Sequence, residues 1–159
     1  MKLAALYFVT CRHKTVEGIF ILPVEYVSAD LKWTAKKVRK AIAFLVDAEF
    51  LCFDPMTNIM LIRNALKYQA PENDNQAKSC LRRIVSLPNT ELVAQFLLLA
   101  KQHCYRTGAS PFAQSFYQQL EQQLGKQFTE PFPPLNLNLK SEILNLKPTI
   151  LNLKQRRPH

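Results

Sequence analysis

The chain has very little glycine, with three residues in 159. β-Sandwiches, barrels and phosphate-binding loops place glycine at tight turns, so the scarcity argues against these architectures. The sequence also has no apolar run of about 20 residues, the length that a membrane-spanning helix needs. Its short apolar start is followed at once by residues 12–14, Arg-His-Lys, which favours an amphipathic helix over a signal peptide. We therefore expect a cytoplasmic protein without a membrane partner.

Cysteine and histidine are also few and widely spaced. The four cysteines, Cys11, Cys52, Cys80 and Cys104, contain no C-x-x-C pair, whereas zinc sites need ligands that lie close in sequence. Free thiols packed as small hydrophobic side chains are the interpretation that this spacing favours. The motifs of metalloproteases, serine hydrolases and phosphate-binding loops are missing. The sequence thus predicts no enzyme, no metal and no cofactor.

Positive charge is in excess, with 21 Lys+Arg against 12 Asp+Glu and a formal net charge of +9. Such an excess points to polyanionic partners, chiefly nucleic acid. The charge is unevenly distributed. Four cations fall within residues 36–40, and no acid follows them until Asp47. A further five basic residues and one acid fall in residues 131–159.

The first 63 residues alternate between helical and strand-like patterns. Hydrophobic periodicity predicts, in order, helix 3–11, strand 19–22, helix 23–31, helix 35–48 and the strands 50–53 and 59–62. In the first helix Leu3, Leu6 and Tyr7 share a face. Thr34 is a natural N-cap of the third helix, and Trp33 before it can pack on Val38 as a hydrophobic staple. This order is the layout of a winged helix-turn-helix, with the turn at residues 54–58 as the wing.

The rest of the chain is predicted to be helical and then disordered. Helices are expected over 75–86, over 91–103 and from Ser110-Pro111 to Gly125; Leu98 and Leu99 widen the apolar face of the middle one. The tail repeats Leu-Asn-Leu-Lys every seven residues and is rich in helix-breaking residues, which favours disorder. We therefore predict a mainly α protein with a small β-hairpin. Its parts are a winged helix-turn-helix domain (1–70), a helical extension (71–128) and a disordered basic tail (129–159).

The third helix is the candidate DNA-binding element, because a helix fits the major groove and its cations can neutralise phosphates. A solvated basic face is the alternative. The predicted wing carries no Lys or Arg, so cations just after the hairpin are preferred to it. Arg82 and Arg83 form a second basic spot, for which we expect a solvated face. The candidate DNA-binding residues are Trp33, Thr34, Lys36, Lys37, Arg39, Lys40, Arg63 and Lys67.

Three stretches, Gly18–Val27, Ala35–Ala41 and Asn64–Lys78, are similar to the N-terminal domain of phage replisome-organiser (replication-initiation) proteins, which are related to the DnaD-type primosome proteins. The resemblance covers roughly residues 3–100. It implies a winged-helix protein that binds double-stranded origin DNA and recruits the replicative helicase or its loader. It also places Thr34 and the four cations of residues 36–40 in or beside the groove. Lys32 departs from the family, in which glycine is common at this turn.

Other interpretations remain open. The same core would serve a winged-helix transcriptional regulator, and a helical adaptor would use its basic face without DNA. Residues 75–124 would serve dimerisation in a regulator, or self-assembly and helicase contact in an initiator. The seven-residue repeat corresponds to about 21 base pairs of gene, close to two turns of B-DNA at about 10–10.5 base pairs each. It is a peptide motif repeated for avidity, a simple expansion, or the trace of DNA iterons that the protein binds.

Overall fold

The computed structural model describes residues 2–125. These residues form ten elements: α1 (Lys2–Thr10), β1 (Ile19–Ile21), α2 (Val24–Leu31), α3 (Ala35–Asp47), β2 (Leu51–Asp54), β3 (Ile59–Ile62), α4 (Ala65–Tyr68), α5 (Asp74–Val85), α6 (Glu91–Cys104) and α7 (Pro111–Leu124). The mainly helical class with a small hairpin is confirmed. The tail predicted to be disordered lies outside the described residues.

The three strands form one antiparallel sheet in the order β1-β3-β2, so β3 is the central strand. Its Leu61 lies opposite Ile19 of β1 and Cys52 of β2. Two further backbone hydrogen bonds extend the β1–β3 pairing, from Ile62 N to Gly18 O and from Leu22 N to Asn58 O, each 2.8 Å long. The short run at 19–22 therefore supplies the third strand, as predicted.

Side chains of the sheet alternate between two hydrophobic cores. On β3, Ile59 and Leu61 enter the core that contains α5, α6 and α7, whereas Met60 and Ile62 enter the core that contains α1, α2 and α3. All four side chains are buried. Because successive residues of a strand point to opposite faces, a strand covered on both sides reads as an unbroken apolar run. The sheet is thus a layer between two layers of helices.

α1 buries a different face from the one we predicted. Ala4 and Phe8 are fully buried, whereas Leu3 and Leu6 are 54% and 58% exposed. Tyr7 is half-buried. Apolar residues occur on nearly every side of this helix, so periodicity could not select the buried face. The face that carries the aromatic ring of Phe8 packs into the core.

Two smaller predictions about the helices are also wrong. Pro23 precedes α2 as its N-cap, with an extended ψ of 142°, and is not its first helical residue. It follows Leu22 directly, whose N–H still belongs to the sheet pairing. Leu98 is 71% exposed, because it lies two positions from the buried Phe96 and Ala100 and so points away from the core.

One ion pair with a buried carboxylate fixes the α1–β1 loop to α5. Glu17 is 1% exposed. Its two carboxylate oxygens accept hydrogen bonds from Nε and Nη2 of Arg83, both 2.8 Å long, and Arg83 also donates to Ser79 Oγ at 2.7 Å. The expectation of a solvated face is therefore wrong for Arg83, whereas Arg82 is exposed. Bidentate pairs of this kind are among the stronger charged hydrogen bonds.

Gly18, next to Glu17, allows the loop to approach α4 closely. Its φ of +78° belongs to the region that favours glycine. A Cβ atom at this position would overlap the Cβ atom of Ala65, the first residue of α4. The loop, the sheet edge and α4 therefore meet where only glycine fits.

We expect Arg83→Met to lower the free energy of unfolding by about 3 kcal/mol, because it leaves the carboxylate of Glu17 buried without its partner. This lies at the low end of the range for a broken buried pair, since the Arg83 side chain is 42% exposed. Urea unfolding measures the change. Arg82→Met removes the same charge from the exposed neighbour and should change stability by less than about 0.5 kcal/mol. Equal effects of the two substitutions would contradict the role of the pair.

We expect Gly18→Ala to destabilise the fold by about 3 kcal/mol, from left-handed backbone strain together with the overlap at Ala65. Gly108→Ala is the matched control. Gly108 has a similar φ of +82°, but apart from its two neighbours in sequence no residue of the described chain has an atom within 4 Å of the place that an added Cβ atom would take. This control should cost only about 1 kcal/mol of strain. Thermal and urea unfolding compare the two variants, and a loss at Gly18 no larger than at Gly108 would refute the close approach.

Candidate nucleic-acid interface

α3 has one apolar side and one cationic side. Six residues between Val38 and Val46 are buried in the core. Lys36, Lys37 and Lys40 are exposed, and Arg39 is half-buried at the edge of the apolar side. Lys36 and Lys40 are four residues apart and so lie on the same face, about 6 Å apart along the axis. The first half of α3 thus presents four cations within little more than one turn.

The N-terminus of α3 is held by Thr34 and Trp33. Thr34 Oγ1 accepts a hydrogen bond from Lys37 N at 3.3 Å, which confirms the predicted N-cap. Trp33 packs against the core that contains Val38, as a hydrophobic staple requires. Lys37 Nζ lies 4.0 Å from the centroid of the Trp33 ring, a cation–π contact. Lys37 therefore also supports the start of the helix, whereas Lys36 and Lys40 extend into solvent.

A three-residue turn, residues 32–34, joins α2 to α3. Lys32 adopts the left-handed conformation, with φ 52° and ψ 39°. Trp33 N donates to Ser28 O at 3.1 Å, which closes the end of α2. A non-glycine residue in this conformation costs about 1–2 kcal/mol. Lys32 therefore makes this turn at a cost in backbone strain, whereas glycine would make it with little strain.

The tip of the β2–β3 hairpin is held by hydrogen bonds and offers no cation. Asp54 accepts hydrogen bonds from Met56 N at 2.9 Å and from Thr57 Oγ1 at 2.6 Å. Asn58 completes the turn with a φ of 56°. The carboxylate of Asp54 thus stabilises the turn, and Met56, 83% exposed, is its most prominent side chain.

Arg63 and Lys67 lie apart from the cationic half of α3. Arg63 Nη1 is 3.3 Å from Glu49 Oε1, and Glu49 follows the C-terminus of α3. Since α3 has 13 residues, it is about 20 Å long, and Arg63 lies at the opposite end from Lys36. Lys67 is exposed on α4. The structure therefore brings Trp33, Thr34 and the four cations of residues 36–40 together and places Arg63 and Lys67 at a second location.

Sequence reasoning missed Phe44 as a surface residue of α3. Its ring is 50% exposed, one turn beyond Lys40 on the same face. The i, i+4 spacing from Lys40 was the available signal, because it places the ring with the cations and away from the apolar stripe. Apolar side chains on a groove-binding helix contact the methyl group of thymine, so Phe44 adds an apolar contact to a cationic face.

His103 lies buried where α6 meets the end of β3. It is 7% exposed, and its Nε2 atom has no hydrogen-bond partner within residues 2–125. Burial lowers the pKa of His103 below its ordinary value of 6.5; a hydrogen bond with the Arg63 backbone opposes this shift, and the charges of Arg106 and Lys67 add to it. His103 is therefore mainly neutral at pH 7, close to the charges of Arg106 and Lys67.

The chain matches no family model, no curated protein and no solved structure. The similarity to replisome organisers accordingly stays a prediction. Within residues 2–125, no helix has the length and apolar character needed to cross a membrane. The same part of the chain contains no cluster of three or more His, Cys, Asp or Glu side chains that could bind a metal ion.

We expect the stability of the protein to fall as the pH drops below about 6.5, because the unfolded chain then binds a proton at residue 103 that the folded chain resists. Above that pH the histidine is neutral in both states, and its contribution is constant. Urea unfolding between pH 7.5 and pH 5 measures this decline. His103→Phe should flatten it, and His13→Gln should not. A decline that survives the His103 substitution would refute the assignment.

Proposed function

We propose that residues 2–68 form a winged helix-turn-helix that binds double-stranded DNA through α3. Three features support this. The elements from α1 to β3 follow the order of that fold. A short turn at Lys32 joins α2 to α3. The hairpin then pairs with β1 in the order β1-β3-β2. The hairpin tip is the wing, although it lacks the cations that often make wings bind phosphate.

The exposed cations of α3 carry the proposal. The helix is about 10–12 Å across, and the major groove is about 12 Å wide. Because the apolar side of α3 is fixed in the core, only its cationic side can face a ligand. Lys36 and Lys40 can then reach phosphates or guanine edges, with Arg39 beside them. Four like charges so close together repel one another, and a polyanion relieves that repulsion.

We further propose that the protein is a replication initiator of a phage or mobile element, which assembles the replicative helicase or its loader at the DNA it binds. This rests on the resemblance of Gly18–Val27, Ala35–Ala41 and Asn64–Lys78 to replisome organisers. α5, α6 and α7 form a separate helical layer on the far face of the sheet. That layer leaves the cationic face of α3 open, so partner proteins and DNA can bind at the same time.

We expect the protein to bind duplex DNA with a strong dependence on salt. Each phosphate contact contributes about −0.9 to the slope of log K against log salt. In the variant Lys36→Gln/Lys40→Gln, two contacts are lost, so the slope should become shallower by about 2 and binding should weaken at least tenfold. Fluorescence anisotropy with a labelled duplex over a series of salt concentrations measures both quantities.

The matched control is Lys78→Gln/Lys101→Gln, which removes the same charge from exposed positions on α5 and α6. It should leave affinity and slope unchanged. If the α3 variant and this control bind alike, α3 is not the DNA-binding element.

To test the replication role, the bound sequence is placed on a plasmid that cannot replicate by itself. Replication that depends on this protein supports an initiator, and its absence argues for a regulator.

A further inference from the structure

The loop between α6 and α7 is attached to the segment around α4 by contacts between distant parts of the chain. Arg106 Nη2 donates a hydrogen bond to Lys67 O at 2.8 Å. Ser110 Oγ donates to Pro71 O at 3.4 Å. Within the loop, Ala109 N donates to Arg106 O at 3.0 Å. The guanidinium of Arg106 is therefore held beside Lys67 by the fold.

Both side chains keep hydrogen-bonding capacity for a ligand. A guanidinium has five N–H groups, and Arg106 uses one of them in the hydrogen bonds of the described residues. Lys67 Nζ lies 5.4 Å from the centroid of the Tyr68 ring and is otherwise directed to solvent. Arg63 and Arg83, in contrast, are held in ion pairs with Glu49 and Glu17. Lys67 and Arg106 thus form an exposed cationic pair.

The buried neighbour of this pair lies close to positive charges and to no carboxylate of the described chain. His103 lies underneath, with Nε2 unpartnered among the described residues, and the charges of both Arg106 and Lys67 act on it. Arg63 completes the surroundings, and its own charge is matched by Glu49. Within the described part of the chain, no carboxylate is among the groups that act on His103. An anion bound by the pair would offset the two positive charges beside His103.

The position of the pair relative to α3 favours a phosphate of the bound duplex as that anion. Arg63 connects the pair to the C-terminal end of α3 through Glu49. α3 is about 20 Å long, longer than the width of the major groove at about 12 Å. When its first half lies in the groove, its C-terminal end comes close to the bordering strand. In that arrangement the backbone phosphates of the strand would lie at this end of the helix.

We infer that Lys67 and Arg106 bind a backbone phosphate of the duplex whose major groove α3 occupies, an inference that rests on the proposed function. Arginine suits this role because its planar fork matches two phosphate oxygens, while lysine contributes a point charge. Asp47 and Glu49 are the acids at this end of α3. The pair, with Arg63 neutralising Glu49, makes this end attractive to phosphate.

The test uses the full chain and the variant Lys67→Gln/Arg106→Gln, compared with the control Lys78→Gln/Lys101→Gln of equal charge. Anisotropy titrations with a random-sequence duplex over several salt concentrations give the slope of log K against log salt. We expect the first variant to have a slope shallower by about 1–2 and about tenfold weaker binding, with the control unchanged. Lys67→Gln alone should make the slope shallower by about 0.9. It does not disturb the hydrogen bond from Arg106 to the backbone oxygen of residue 67.

The outcomes separate the inference from the proposed function. If the wild type binds and the α3 variant does not, but the Lys67 and Arg106 variants behave like the control, the second contact is refuted and DNA binding through α3 stands. If the wild type shows no salt-dependent binding, the proposed function fails and the inference fails with it. Thermal unfolding confirms that each variant is folded.

Discussion

The central strand β3 is the constraint on which the rest of the structure depends. Its four residues are buried on both faces, alternately in two cores. A sheet of three short strands cannot stand alone in water with both faces apolar, so each face needs its own layer of helices. The helices after residue 70 are therefore part of the same packing unit as the hairpin. The ion pair of the buried Glu17 with Arg83 ties the α1–β1 loop to α5 at the edge of the sheet.

This packing also determines which side of α3 is free. The core around Met60 and Phe53 takes the apolar side of α3, so its cations must point outward. Thr34 and Trp33 fix the start of the helix, and the turn at Lys32 sets its direction. The proposed function thus depends on the burial of the apolar side of α3, which leaves the cationic side exposed. The side of α3 that we propose to bind nucleic acid is the side that the sheet does not cover.

Local signals in the sequence were sufficient for most elements, because caps, turns and periodicity act over a few residues. The N-cap at Thr34, the hairpin and the order of helices follow from such signals. Three features could not be predicted from local signals, because each depends on contacts between positions far apart in the sequence. They are the partner of Arg83, the buried face of α1 and the place of Arg106 beside Lys67. Arg82 and Arg83 are alike in sequence, and only the fold distinguishes them.

The most direct test of binding through α3 is an NMR titration of the isotope-labelled protein with a DNA duplex. We expect the largest changes in backbone amide shifts to fall on residues 33–44, with a second group around Lys67 and Arg106. The amides of α5 and of the solvent-exposed residues of α6 should change little. Changes centred on α5 and α6, with α3 unaffected, would contradict binding through α3.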